Sequence, residues 1–280
     1  MLNALTVDVE DYFQVTAFER YVSRDDWDRY PLRVVDNTLR VLDLFDEFDV
    51  KATFFILGWV AERCSGLVKE ISRRGHEIAC HGYGHELIYC IGPERFRADV
   101  RRAKMLLEDQ AGVAVDGYRA PSYSITKNSL WALDILIEEG FRYDSSIFPV
   151  VHDLYGIPDA QRFPYLCRRP AGTIMEFPLT TLPIRAGGKE FRLPIAGGGY
   201  LRLFPSAVIG HGIRSINADE RQPAVLYFHP WEIDPEQPRI KAGFKSRFRH
   251  YLNLHHTEGK LKSLLGMHRF GTMSGVLEKV

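Results

Sequence analysis

Apolar runs of strand length alternate with stretches of helical period along most of this chain, which predicts a parallel sheet whose strands are joined by crossover helices. NALTVDV (3–9) reads as the first strand. Pro31 is placed to open a helix on which Val34, Val35, Leu39, Leu42 and Phe45 recur at helical spacing, and ATFFIL (52–57) follows as a strand buried on both faces. LVKEISRRG (67–75) ends in two arginines and a glycine, a helix stop, and HEIAC (76–80) is the next strand. The cycle repeats with a helix over 93–112, bounded by Pro93 and Gly112, and a short strand exit at GYRAP (117–121). It repeats again with KNSLWALDILIEEG (127–140) and FRYDSS (141–146). Between 150 and 200, prolines and glycines break the pattern, as in GGK (187–189) and AGGGY (196–200), so long loops are predicted around one strand-like run, TIMEFP (173–178). AVLYFHPWEID (224–234) supplies a strongly apolar strand that stops at His229.

Composition narrows the class. A chain of 280 residues with 45% hydrophobic and 26% charged content suits one large α/β domain. Lysine plus arginine and aspartate plus glutamate both total 36, so no global basic field exists and no nucleic-acid partner is expected. The start, MLNALTVDVEDYF, lacks a basic region followed by an apolar run, which predicts no signal peptide; no transmembrane segment is predicted either. Cys64, Cys80, Cys90 and Cys167 form no CxxC pair and are too sparse for a disulfide scaffold, so a reducing, cytoplasmic setting is expected. Cys80 precedes His81 but reads as a core thiol.

The candidate chemistry lies where strands end. Asp8, Glu10 and Asp11 follow the first strand, His81 and His85 a middle one, and Arg119, Asp144 and His229 later ones. Carboxyl ends of barrel strands share one face, so these residues are predicted to converge on one pocket. In HGYGHE (81–86) the histidines stand four apart, a spacing that suits two imidazoles on one metal ion, and the intervening glycines are expected to loosen a loop. An extended strand would point Asp8 and Glu10 one way and Asp11 the other.

TVDVED (6–11), HGYGH (81–85), RAPS (119–122), YDSS (143–146) and LYFH (226–229) resemble, in order and spacing, the five motifs of the polysaccharide deacetylases of the nodulation-factor deacetylase type, carbohydrate esterase family four. The resemblance spans about residues 4–234 and implies a distorted (β/α)7 TIM-like barrel, with 235–280 as a C-terminal extension packed on it. FHPWEIDPEQPR and GGGYLRLFP look like a bacterial subgroup associated with exopolysaccharide loci. The implied activity is removal of N-acetyl groups from a sugar in a polysaccharide or its precursor, with acetate released. A divalent metal, Zn²⁺ above all, would be held by His81, His85 and a carboxylate, Glu10 or Asp11, and would lower the pKa of bound water. Asp8 resembles the family's general base and Arg119 its orienting partner, and His229 would protonate the departing amine. A backbone N–H near Ser122 or Tyr123 would face the oxyanion, and Asp144 would support His229 from outside.

Two departures stand out. Val9 separates the first acidic residues, which leaves Glu10 and Asp11 as alternative ligands, and Ser122 occupies a usual tyrosine position. Tyr12, Phe13, Tyr83, Trp131, Tyr200 and Trp231 are candidates for stacking on sugar rings, or for core packing. A metal-free, allantoinase-like amidohydrolase of small cyclic ureides and a non-catalytic carbohydrate-binding protein are the competing readings. KAGFKSRFRH (241–250) and NLHHTEGKLKSLLG (253–266) add a basic stretch and an amphipathic helix.

Overall fold

Successive residues of a strand face opposite ways, and that alternation sorts the first strand of this protein into two cores. In the computed structural model, which describes residues 1–186, 189–195 and 197–279, Leu5, Val7 and Val9 join a large outer cluster with the helices, while Ala4 joins a second cluster with Phe55, Ala79, Tyr143, Phe177, Val225 and Tyr227. The inner cluster draws on strands from both ends of the sheet, so the sheet curls around it.

The strands are β1 (Leu2–Val9), β2 (Thr53–Ile56), β3 (Glu77–Cys80), β4 (Gly117–Tyr118), β5 (Tyr143–Asp144), β6 (Tyr165–Arg169), β7 (Gly172–Glu176), β8 (Thr181–Ala186), β9 (Lys189–Pro194), β10 (Val225–Phe228) and β11 (Arg269–Gly271). Seven of them pair in parallel in the order β10-β1-β2-β3-β4-β5-β7. β6 adds antiparallel to β7, and β11 pairs with the start of β1. Helices α1 (Val34–Glu47), α2 (Gly58–Arg63), α3 (Ser65–Arg73), α4 (Ile88–Ala111) and α5 (Trp131–Glu138) lie between the early strands, as the alternating pattern requires. α4 is broken at Gly92 (φ 75°), so its regular part starts at Pro93 as the sequence predicts.

Between 150 and 200 the expectation of long loops is corrected: β6 with β7 and β8 with β9 form two antiparallel hairpins. Where its side chains are described, at 181–184 and 191–194, the β8–β9 hairpin buries only Thr181, and such half-exposed strands give a weak apolar signal. Gly187, Gly188 and Ala196, from the GGK and AGGGY stretches, lie outside the described residues.

The second half continues through α6 (Gly199–Leu203), α7 (Ser206–Ser215), α8 (Phe244–Tyr251), α9 (Leu254–Met267) and α10 (Met273–Leu277). α9 buries Leu254, Leu261, Leu264 and Leu265. α10 sits at the amino ends of the strands: Met273 and Val276 enter the inner cluster, and the amides of Met273 and Ser274 donate to Thr53 Oγ1 (2.7 Å) and Glu77 Oε2 (3.2 Å). That end is filled, so the open end lies at the strand carboxyl termini.

His76 sits between Phe45 and Phe54, its Nδ1 accepting from the Ala52 amide (3.1 Å), and burial holds its pKa down to about 4. The unfolded chain takes up this proton near pH 6.5 and the folded one only near 4, so the stability conferred is complete above 6.5 and lost as pH falls through that window. Denaturant titrations are expected to show a His76→Asn variant losing less stability than the parent between pH 7 and 4.5, the difference reaching about 1–3 kcal/mol.

Candidate active site

The open end of the barrel holds a cavity of about 470 Å³ floored by Asp8, Glu10, His81, His85 and His229. β1 continues past Val9 through a tight turn, with the Glu10 amide donating to Asp8 O (3.1 Å), so both carboxylates enter the cavity. Asp11 faces the other way. Its Oδ1 accepts from the Tyr12 amide (2.9 Å) and its Oδ2 from Arg33 (2.7 Å) and Val34 (3.0 Å), where α1 begins without a cap of its own. Those amides carry the positive end of the helix dipole, so Asp11 is committed to the helix and is set apart from the metal-ligand role. Burial still pushes its pKa up to about 6.

Glu10, His81 and His85 form a three-residue cluster whose donor atoms lie within 4.8 Å of one another. His81 Nδ1 meets Arg119 O at 2.8 Å, and a carbonyl can only accept, so Nδ1 carries the proton and Nε2 keeps its lone pair. Burial lowers the His81 pKa to about 4, which keeps the ring neutral. His85 Nε2 stands 2.8 Å from Glu10 Oε2 as a close charge neighbour, and no hydrogen bond satisfies this buried oxygen. A buried carboxylate oxygen without a donor is costly, and a cation between the three groups would satisfy it. Burial alone would raise the Glu10 pKa, yet the imidazoles of His85, His229 and His81 hold it at about 2.

The glycines of HGYGHE do not loosen the loop, contrary to expectation. Asp99, on α4, accepts from the amides of Tyr83 (2.8 Å) and Gly84 (3.1 Å), and Arg24 grips the carbonyls of Gly84 and His85 (2.8 Å each). Gly82 has φ +73°, and a Cβ there would lie 2.9 Å from Asp99 Oδ2. Glycine permits the clamp, and His85 itself is held at φ 49°, a strained geometry typical of functional sites.

Arg119 is fully buried and donates to Asp8 Oδ1 (2.7 Å), Thr6 Oγ1 (2.7 Å), Ser145 O (3.2 Å) and Ser145 Oγ (3.0 Å). Four acceptors fix the guanidinium, and it in turn fixes the Asp8 carboxylate. Ser122 and Tyr123 both take positive φ (50° and 54°) beside the cavity. The Tyr123 amide is spent on Ala120 O (3.0 Å), which leaves that of Ser122 as the oxyanion candidate.

Asp144 does not reach His229, which corrects the expected support. It accepts from Ser146 Oγ (2.6 Å) and the Ser146 amide (3.2 Å), and Ser146 Oγ accepts from the Ala120 amide (2.8 Å), so Asp144 braces the backbone between Arg119 and Ser122. The partner of His229 is Glu232: Oε1 lies 2.5 Å from Nδ1, while Oε2 accepts from Arg202 Nε (2.7 Å). Burial disfavours an imidazolium, but the carboxylates of Glu10 (Oε1, 3.3 Å) and Glu232 raise the His229 pKa to about 9. Trp231 stacks on His229 and His250 at 5.2 and 4.1 Å between centroids. Of the six aromatic candidates, Tyr200 and Trp231 line the cavity; Tyr12 and Phe13 are core, Trp131 packs on Phe96, and Tyr83 binds Glu62 outside. Glu232 was legible as an i+3 capping partner in HPWE; Arg202 and His250 had no local signal.

Residues 24–137 match the polysaccharide deacetylase family model, and residues 145–278 match a domain of unknown function, DUF3473. The peptidoglycan-N-acetylglucosamine deacetylase of Bacillus cereus (strain ATCC 14579) is 35% identical over 98 residues, 35% of this chain and 36% of that protein. The peptidoglycan deacetylase of Helicobacter pylori (strain ATCC 700392 / 26695) is 32% identical over 108 residues, 39% of this chain and 36% of that one. The chain thus spans little more than a third of the length of these curated relatives. A Mycobacterium smegmatis structure provisionally assigned as a polysaccharide deacetylase superposes with TM-score 0.62 at 23% identity, covering 99% of this chain and 88% of that one. The Puue allantoinase gives TM-score 0.59 at 14% identity, with 98% and 88% covered. These likenesses show the α/β fold of the distorted (β/α)7 kind. Residues 24–137 are thus similar to the polysaccharide deacetylase family.

Elemental analysis after loading with zinc is expected to find one ion per chain. Glu10→Gln and His81→Ala should each weaken uptake at least about a hundredfold. Asp11→Asn should leave uptake intact and lower stability by about 1 kcal/mol, read as a shift in thermal midpoint.

Proposed function

We propose that this protein hydrolyses the N-acetyl group of an N-acetylated carbohydrate, releasing acetate, with a divalent ion, zinc by the character of its ligands, held by Glu10, His81 and His85. The observation that carries this reading is the buried Glu10–His81–His85 cluster, whose donor atoms lie within 4.8 Å of one another and whose Glu10 Oε2 makes no hydrogen bond. Two imidazoles and one carboxylate are a hydrolytic zinc set that leaves positions open. When bound, such an ion polarises an amide carbonyl and lowers the pKa of water toward neutrality.

The remaining chemistry belongs to this chain. Asp8, fixed by Arg119, stands in the cavity as the base that takes the proton of the attacking water. His229, charged at neutral pH through its two carboxylate neighbours, gives a proton to the departing nitrogen. Glu232 orients its ring through Nδ1, and Arg202 neutralises Glu232 in turn. The Ser122 amide, set by a left-handed backbone, is the chain's own donor for the tetrahedral oxygen. Placement in an exopolysaccharide-associated subgroup rests on the likeness of FHPWEIDPEQPR and GGGYLRLFP alone.

A metal-free hydrolysis of cyclic ureides uses the same barrel, but it leaves the Glu10 oxygen without a role. Acetate release from N-acetylated oligosaccharides, measured before and after chelation, separates the two readings. The expected result is loss on chelation and recovery with zinc, and full activity in the stripped protein would overturn the proposal. Asp8→Asn should cut turnover by about 10²–10⁴-fold while keeping the metal and the fold; an unchanged rate would remove Asp8 as the base.

A further inference from the structure

The cavity mouth is bordered by apolar side chains that stand in solvent. Leu154, Leu203 and Phe248 line it and are 42%, 52% and 54% exposed, and Phe244, one helical turn before Phe248, is 85% exposed. The two phenyl rings stack at 6.1 Å on one face of α8. Lys241, Lys245, Arg247 and Arg249 flank them in the chain, all exposed, and none has an acidic partner among the described residues. From Gln237 to Thr257 the sequence holds no aspartate or glutamate, in a chain whose acidic and basic totals are equal. Charge is therefore segregated here.

We propose that α8 and this collar seat on an anionic lipid bilayer, so that the cavity opens onto the membrane surface. The combination selects the partner. Aliphatic leucines offer no flat face for a sugar, a neutral glycan does not call for four unpaired cations, and an acidic glycan does not call for exposed phenylalanines. Rings that enter the acyl boundary, flanked by cations that meet anionic headgroups, satisfy both sets at once. Among the described residues no helix is long and apolar enough to cross a membrane, so the contact is peripheral. The surface assignment stands on the patch alone. That the bilayer presents the acetylated sugar to Asp8 and Glu10 rests on the function proposed above.

The test is cosedimentation of the full chain with phosphatidylcholine vesicles, plain or containing about one third phosphatidylglycerol. The parent protein is expected to bind the anionic vesicles at least about tenfold more tightly, and to lose that preference near 0.5 M salt, where charges are screened within a few ångströms. Phe244→Ser should weaken binding to both vesicle types about threefold or more. Lys241→Glu/Lys245→Glu/Arg247→Glu should abolish the preference, and the milder glutamine triple variant should do the same if charge reversal perturbs folding. Equal binding to both vesicles, no binding, or unaltered binding by the folded variants would overturn the proposal, leaving the collar to a glycan or a protein. Asp8→Asn protein should bind vesicles as the parent does, so a failed deacetylase reading would leave this result standing.

Discussion

A carboxylate buried among imidazoles is the constraint on which this molecule depends. Glu10 is 2% exposed, and burial by itself would raise its pKa. His85 on one side and His229 on the other keep it ionised, and each of these rings is held from behind: His85 by the Arg24 grip on its backbone, His229 by Glu232. The charge therefore ties three strand ends together.

Support for the site comes from elements that never touch the cavity. Asp11 leaves the site to cap α1, Asp99 leaves α4 to hold the histidine loop, and Asp144 works through Ser146 on the backbone that carries Arg119. Each carboxylate binds backbone amides or a hydroxyl, and such bonds rigidify the first contacts with a substrate. Positive φ at His85, Ser122 and Tyr123 is the strain that this scaffold maintains.

The site draws on both matched regions of the chain and on the strand before them, which brings Asp8 and Glu10. Residues 24–137, which match the deacetylase model, supply His81, His85 and Arg119, whereas His229, Glu232, Arg202 and His250 fall within 145–278. Arg202 links the halves of that region: its guanidinium binds Glu232 and the carbonyls of Arg249 and His250 (2.7 Å each), which docks α8 at the cavity mouth. The same contact that orients His229 thus sets the basic, aromatic helix at the entrance.

By itself the sequence determined the strand and helix cycle up to residue 146, apart from the short helix α2, and the strand at 225, because apolar period is a local property and survives without neighbours. It also placed Asp8, Glu10, His81, His85, Arg119 and His229 at strand ends, and parallel strands bring those ends to one face. Which acidic residue joined the histidines was decided by tertiary structure, since Asp11 finds its amides on a helix that starts at Val34. The partner of His229, the clamp on the histidine loop, the hairpins after 160 and the seating of α8 were likewise settled by contacts between residues far apart in the chain. Such pairings leave no period in the sequence, because either partner alone reads as an ordinary polar residue.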